Sequence, residues 1–283
     1  MKRLPLPLCA LLLATGCSPR VMALRAMTPI MDRASAAFRR EPDPALAREA
    51  FPAQLKLLEG LLESDPGNPT LRRLLAEGFG GYAFLFLEDV DNDRARGAYL
   101  RGRDYAFGAL GAKLKGLAAM TLPEAQQALG SARPADAPSL FWAAYSWAGW
   151  INLSKDSPEA VADLPKVVVV METVERLSPG FYFGGAELFL GAYEAMRPKM
   201  LGGDPAKSKA HFESALKAGG GRFLLAKVLY AATYAVAVQD QELFKRLLDE
   251  VLASSPELPE ARLANAVAKV KAKRLLERIN DLF

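Results

Sequence analysis

The chain has 283 residues, of which 51% are apolar and 24% charged; this excludes a disordered polypeptide and leaves room for one large helical domain or two small ones. The formal net charge of +4 comes without any dense basic run, so nucleic acid is not an expected partner. His211 is the one histidine, which argues against histidine-built metal sites and Ser-His-Asp catalysis and leaves no cofactor to expect.

The first residues address the compartment. Lys2-Arg3 is a basic start, and Leu4 to Leu13 is an apolar run too short to span a bilayer as a helix. Ala14-Thr15-Gly16-Cys17 follows. Small residues directly before a cysteine, after a leucine run, resemble a bacterial lipobox, with Ala14 where Leu is usual. That resemblance implies removal of residues 1–16 and acylation of Cys17, with several acyl chains giving stable anchoring. An ordinary cleaved signal with an incidental cysteine is the alternative. Cys9 would leave with the signal, so no disulfide is expected. Ser18 stands where Asp would imply inner-membrane retention, which favours the outer membrane, facing the periplasm. Residues 17–23 then read as a lipidated tether and 24–283 as the folded domain. No later stretch reaches about 18 apolar residues.

The domain reads as helices throughout. Leu24 to Phe38 is the first, with Thr28-Pro29 as a second possible start. Ala45 to Glu63 places Phe51, Leu55, Leu58 and Leu62 at helical spacing. After the turn cluster Ser64 to Pro69, Thr70 would cap a helix from Leu71 to about Glu88. A long helix is predicted from Arg94 to about Ala119, and a short one from Thr121 to Leu129, with Glu124 at capping-box spacing. Leu140 to Ser154 holds Phe141, Tyr145 and all three tryptophans, Trp142, Trp147 and Trp150. Their rings point around most of a helical wheel, as in a helix packed on several sides. These aromatics are either core or, in part, the wall of a ligand cleft.

Leu164 to Leu177 contains Val167 to Val170, strand-like by propensity but helical by the period around it. Phe181 to Met196, Ala206 to Ala218 with Asp204-Pro205 as cap and first position, Phe223 to Val238, Gln241 to Ala253 and Pro259 to about Asn280 complete the chain. No convincing strand is present, so the fold class is all-α. Turns at Asp65-Pro66, Ser178-Pro179 and Ser255-Pro256 follow helix pairs in the manner of tetratricopeptide repeats, although their spacing fits no 34-residue period. The expected architecture is a degenerate tetratricopeptide-like array of helical hairpins, an α-solenoid with a concave groove suited to binding.

Chemical motifs fail on inspection. Asp89 to Asp93 imitates an EF-hand start, but Arg94 and Leu100 stand where the loop needs Gly and Glu; it reads as a solvated capping loop. Gly78-x-Gly80 lacks the preceding strand of a dinucleotide loop. His211 has no carboxylate four residues away on its own helix and reads as a surface residue. The cations of the last helix do not gather on one face.

One resemblance spans most of the domain. Tyr82-Ala83-Phe84, Leu140-Phe141-Trp142 through Trp150-Ile151-Asn152, and Tyr182-Phe183-Gly184-Gly185-Ala186 resemble the TatT lipoproteins. So do Arg197-Pro198-x-x-Leu201-Gly202-Gly203-Asp204-Pro205, Tyr230-Ala231 and Leu263-Ala264-Asn265-Ala266. These are the tetratricopeptide-like T components associated with TRAP solute-uptake systems. The resemblance implies a lipid-anchored periplasmic protein that pairs with a TRAP-type solute-binding protein, and a homotrimer around a hydrophobic cleft. It implies no catalytic residues. Cleft candidates are Phe141, Trp142, Tyr145, Trp150, Asn152, Tyr182, Phe183, Tyr193 and Arg197, the last as a carboxylate contact. The rival expectation is an envelope scaffold in which the aromatics are only core.

Overall fold

The computed structural model describes residues 19–88 and 90–283. The cleavage and acylation expectations at Cys17 lie outside the described residues, as does Asp89 of the acidic turn. Among the described residues every regular element is helical. The four valines of Val167 to Val170 lie inside a helix, so the surrounding period, not local β propensity, decides that segment.

The helices are α1 (Pro19–Arg39), α2 (Pro44–Ser64), α3 (Pro69–Tyr82), α4 (Asn92–Gly108), α5 (Ala112–Lys115), α6 (Leu122–Leu129) and α7 (Ala137–Asn152). Then come α8 (Pro158–Ala162), α9 (Leu164–Leu177), α10 (Phe181–Met196), α11 (Pro205–Ala218), α12 (Leu224–Tyr230), α13 (Gln241–Ala253), α14 (Arg262–Glu277) and α15 (Ile279–Leu282). Several starts are set by short polar side chains. Asp43, Asp91, Asp204 and Asp240 each accept from an amide of the first turn, which satisfies donors that the helix itself leaves free. Thr121 and Glu124 form the expected capping box. The cap of α3 is Asn68, not Thr70: its Oδ1 accepts from the amides of Thr70 and Leu71, both at 3.1 Å. Pro69 then takes the first helical position, where its missing N–H costs nothing.

Two expected helices are shorter than their patterns. The stretch from Arg94 to Ala119 breaks after Gly108, into α5 and a 3-10 turn at Leu117–Ala119. Leu110, Leu114 and Leu117 are all buried, so the break turns an apolar run inward. A Cβ on Gly108 would stand 2.2 Å from Arg72 Nη1. At the end of the chain, Pro259 to Ala261 stays outside α14. The first helix, by contrast, begins at Pro19, inside the stretch expected to be a tether, and continues through Pro29.

Consecutive helices pack on one another. α3 and α4 pack on α7, α7 on α9, α9 on α10 and α10 on α11; α12, α13 and α14 pack together. The chain then meets its own start, because α14 also touches α1 and α2, with Leu263 and Val267 buried among the apolar side chains of α2 and α3. The centre of the molecule is α7, whose Leu140, Phe141, Trp142, Ala143, Ala144 and Trp147 are all buried.

Two helices change pitch at related sequences. Ala83–Leu87 after Tyr82 and Ala231–Ala235 after Tyr230 are π-helical turns, each placing an extra residue in the turn and rotating the side chains beyond it. The first brings Leu85 to the wall of the cavity described next.

Candidate functional site

Where α1, α2 and α3 meet α7, the start of α10 and the entry to α14, the helices line a partly open cavity of about 60 Å³. Its apolar wall includes Phe38, Phe51, Leu55, Leu85, Trp142 and Tyr182. Its polar groups are few and sit toward α1. Arg39 Nη1 lies 2.8 Å from Glu77 Oε1, with the two side chains 31% and 18% exposed. Gln54 Nε2 donates to Ser35 Oγ at 3.2 Å, and Glu260 lines the α14 side. An apolar chamber with one charge-assisted pair at its edge is suited to an apolar body that carries a single polar end.

Tyr182 reaches this wall through an unusual backbone. After Ser178-Pro179-Gly180, the residues Tyr182, Phe183 and Gly184 take φ values of 49°, 58° and 76°. Two non-glycine residues in the left-handed region cost about 1 to 2 kcal/mol each. Packing holds them there. The Tyr182 ring lies 4.8 Å from that of Trp142 and 5.5 Å from that of Phe141, and Phe183 stacks on Phe223 at 4.6 Å. The two glycines that follow admit their neighbours. A Cβ on Gly184 would stand 2.8 Å from Ala215 Cα, and one on Gly185 2.5 Å from Phe141 Cε2. Burial pushes the Tyr182 hydroxyl well above the ordinary tyrosine range, with the Glu77 carboxylate adding to the effect. Tyr145 is raised in the same direction, first by burial. Both therefore stay neutral at any physiological pH.

The predicted residues divide into four groups. Trp142 and Tyr182 line the cavity. Phe141, Tyr145 and Phe183 back them through ring contacts; Phe141 itself is 1% exposed. Trp150 lies under the Arg103 guanidinium at 5.7 Å, and Asn152 is exposed at the end of α7. Tyr193 and Arg197 form a separate cluster at the end of α10. There the guanidinium lies 3.9 Å from the Tyr193 ring centroid and pairs with Glu194 at 2.9 Å.

Sequence reasoning missed Arg39 and Glu77, which occupy different helices and share no motif; Arg39 instead reads as part of the helix-ending run before Pro42. It also misplaced His211. Its Nδ1 lies 2.6 Å from Glu187 Oε2 on α10, a carboxylate supplied across the helix pair and so invisible to spacing within one helix. Among the described residues no group of three His, Cys, Asp or Glu side chains could hold a metal ion, and no helix is long and apolar enough to cross a membrane.

A second hollow, an open groove of about 340 Å³, runs between α2 and α4. Its floor includes Phe79, Tyr82 and Leu87, and its edge carries Lys56, Arg94 and Arg101. Glu59 neutralises part of that edge by pairing with Lys56 and Arg101.

A family model described as TRAP transporter T-component matches residues 40–283. The chain belongs to that family, a component of a transport system. No curated protein matches the chain.

Proposed function

We propose that this TRAP transporter T-component is a lipid-anchored periplasmic protein that holds a small apolar or amphipathic solute behind α1, in the cavity walled by Trp142 and Tyr182. It is a tetratricopeptide-like array of hairpins that binds and hands over its cargo without altering it. The family match to residues 40–283 supports a partnership with a TRAP-type solute-binding protein. The groove between α2 and α4, apolar below and basic at its edge, suits such docking. The observation that carries the ligand reading is the Arg39–Glu77 pair at the rim of an aromatic chamber, because the guanidinium can exchange Glu77 for the carboxylate of a ligand.

The chamber at about 60 Å³ holds about two waters, so a solute enters only if α1 yields. That helix is suited to yielding. Leu24 and Thr28 are its only residues classed as buried among those described, and ion pairs to Asp65, Glu77 and Arg73 tie it down. The small volume also favours the rival reading, an envelope scaffold without cargo.

Fluorescence titration with dansyl-undecanoic acid separates the two. Arg39→Gln should weaken binding about tenfold, the effect of removing one charged hydrogen bond, while Arg197→Gln leaves it unchanged. Equal binding by the parent protein and Arg39→Gln, or no binding by either, overturns the cavity assignment.

A further inference from the structure

The outward face of α1 has the wrong chemistry for water. Between residues 21 and 37 its exposed positions are apolar except Arg25 and Arg33. Met22 is 63% exposed, Met27 48% and Ile30 57%, and Ala23, Ala26 and Pro29 are exposed between them. The one acidic residue of this stretch, Asp32, turns back toward the body and pairs with Arg73 at 3.0 Å. The contrast with α13 is direct: the exposed positions from Gln241 to Glu250 are all polar, as an outward helix in water should be. On α1 the buried side, with Leu24 and Thr28, faces the body, so the apolar outer side lies uncovered by the described residues.

We propose that the first three turns of α1 lie flat in the interfacial layer of an anionic bilayer, with Met22, Met27 and Ile30 inserted among the lipid chains. The inference rests on acylation of Cys17 as read above. It is then carried by distance and charge. Only Ser18 separates the acylated residue from Pro19, where the helix begins, and two residues extend the chain by at most about 7 Å. The lipid anchor therefore fixes the start of α1 at the bilayer surface, and the next roughly 18 Å of helix presents methionine and isoleucine to it. Arg33, one turn beyond Ile30, matches the negative headgroups, while Arg25 is held by Asp65. The body is thereby held against the membrane in one orientation instead of swinging on a flexible tether. The same helix that meets lipid with Met27 and Ile30 walls the solute cavity with Ser35, Phe38 and Arg39.

The test uses the mature acylated protein reconstituted in phosphatidylethanolamine–phosphatidylglycerol vesicles. Its acylated Cys17 leaves any introduced cysteine as the sole free thiol. Nitroxide labels are placed by Met27→Cys, Ile30→Cys and, on α13, Lys245→Cys. Collision rates with oxygen, which concentrates in lipid, and with an aqueous nickel chelate are then compared. At positions 27 and 30 the oxygen rate should exceed the nickel rate several-fold, with the reverse at 245. Nickel accessibility at 27 and 30 equal to that at 245 overturns the inference. Exclusion of both reagents overturns it too, because the face is then covered by a second copy or a partner. An intact mass lacking the acyl chains overturns the anchor reading and this inference together, whereas an acylated protein with water-exposed labels overturns the inference alone.

Discussion

Replacing Glu175 with glutamine should stabilise the protein near neutral pH and do nothing in acid. Glu175 stands at the end of α9, where one carboxylate oxygen accepts from the Gly180 amide at 3.2 Å and the other is buried without a partner. Its pKa is raised, first by burial and then by repulsion from Glu187, with the Gly180 bond and His211 acting the other way. A carboxyl with a raised folded-state pKa binds more protons folded than unfolded, so stability falls as pH climbs from the unfolded value through the folded one. Glu175→Gln is neutral throughout and keeps an acceptor for Gly180. An unsatisfied buried group costs about 1 to 3 kcal/mol. Because Glu175 is only partly buried, the lower figure applies, about 1 kcal/mol at pH 7.5, or roughly 2 to 4 °C in Tm. Thermal melts of both proteins at pH 7.5 and pH 4 are the assay. The parent should be the less stable at pH 7.5, and the two should converge at pH 4. A variant less stable than the parent at pH 7.5 would show that the carboxylate is satisfied where it lies and refute the reasoning.

Gly185→Ala should destabilise by about 2 kcal/mol or more in denaturant melts, since its Cβ would enter the Phe141 ring and overpacked cores typically lose 1 to 3 kcal/mol; an unchanged midpoint would contradict the packing of α10 on α7. The Asp65 carboxyl is held below its usual range, first by its hydrogen bond from Arg25. Its contribution is present above the unfolded-state value of about 4 and is lost as pH falls through the lower folded value. The stability gap between the parent and Asp65→Asn should therefore be constant above about pH 5 and narrow below pH 4, read as urea midpoints against pH. Ser146 Oγ is buried with no partner between α3, α4 and α7, so Ser146→Ala should raise the melting temperature by a few degrees.

What the sequence disclosed was whatever repeats along one helix. The period of the apolar residues sets most helices of the core, though not the break after Gly108, and it overrides the valine run. Asp204-Pro205 and the Thr121–Glu124 box are local chemistry and can be read directly. Trp142 and Tyr182 stand out because aromatics at dense spacing must either be core or line a wall. The remainder depends on partners distant in sequence. Arg39 and Glu77 meet across α1 and α3, and His211 meets Glu187 across α10 and α11. The left-handed path at Tyr182 and Phe183 is imposed by the packing of their rings against propensity. The π-turns after Tyr82 and Tyr230 change pitch without any proline or glycine at the first residue to announce it. The outward apolar face of α1 was hidden because amphipathic patterning assumes water on the far side.

The most direct measurement is photo-crosslinking with a diazirine-bearing fatty acid, followed by mapping of the adducts by peptide mass spectrometry. A solute chamber behind α1 predicts adducts on Phe38, Trp142 and Tyr182, suppressed by excess unlabelled fatty acid. Adducts confined to the outer surface, or none that competes, would contradict it.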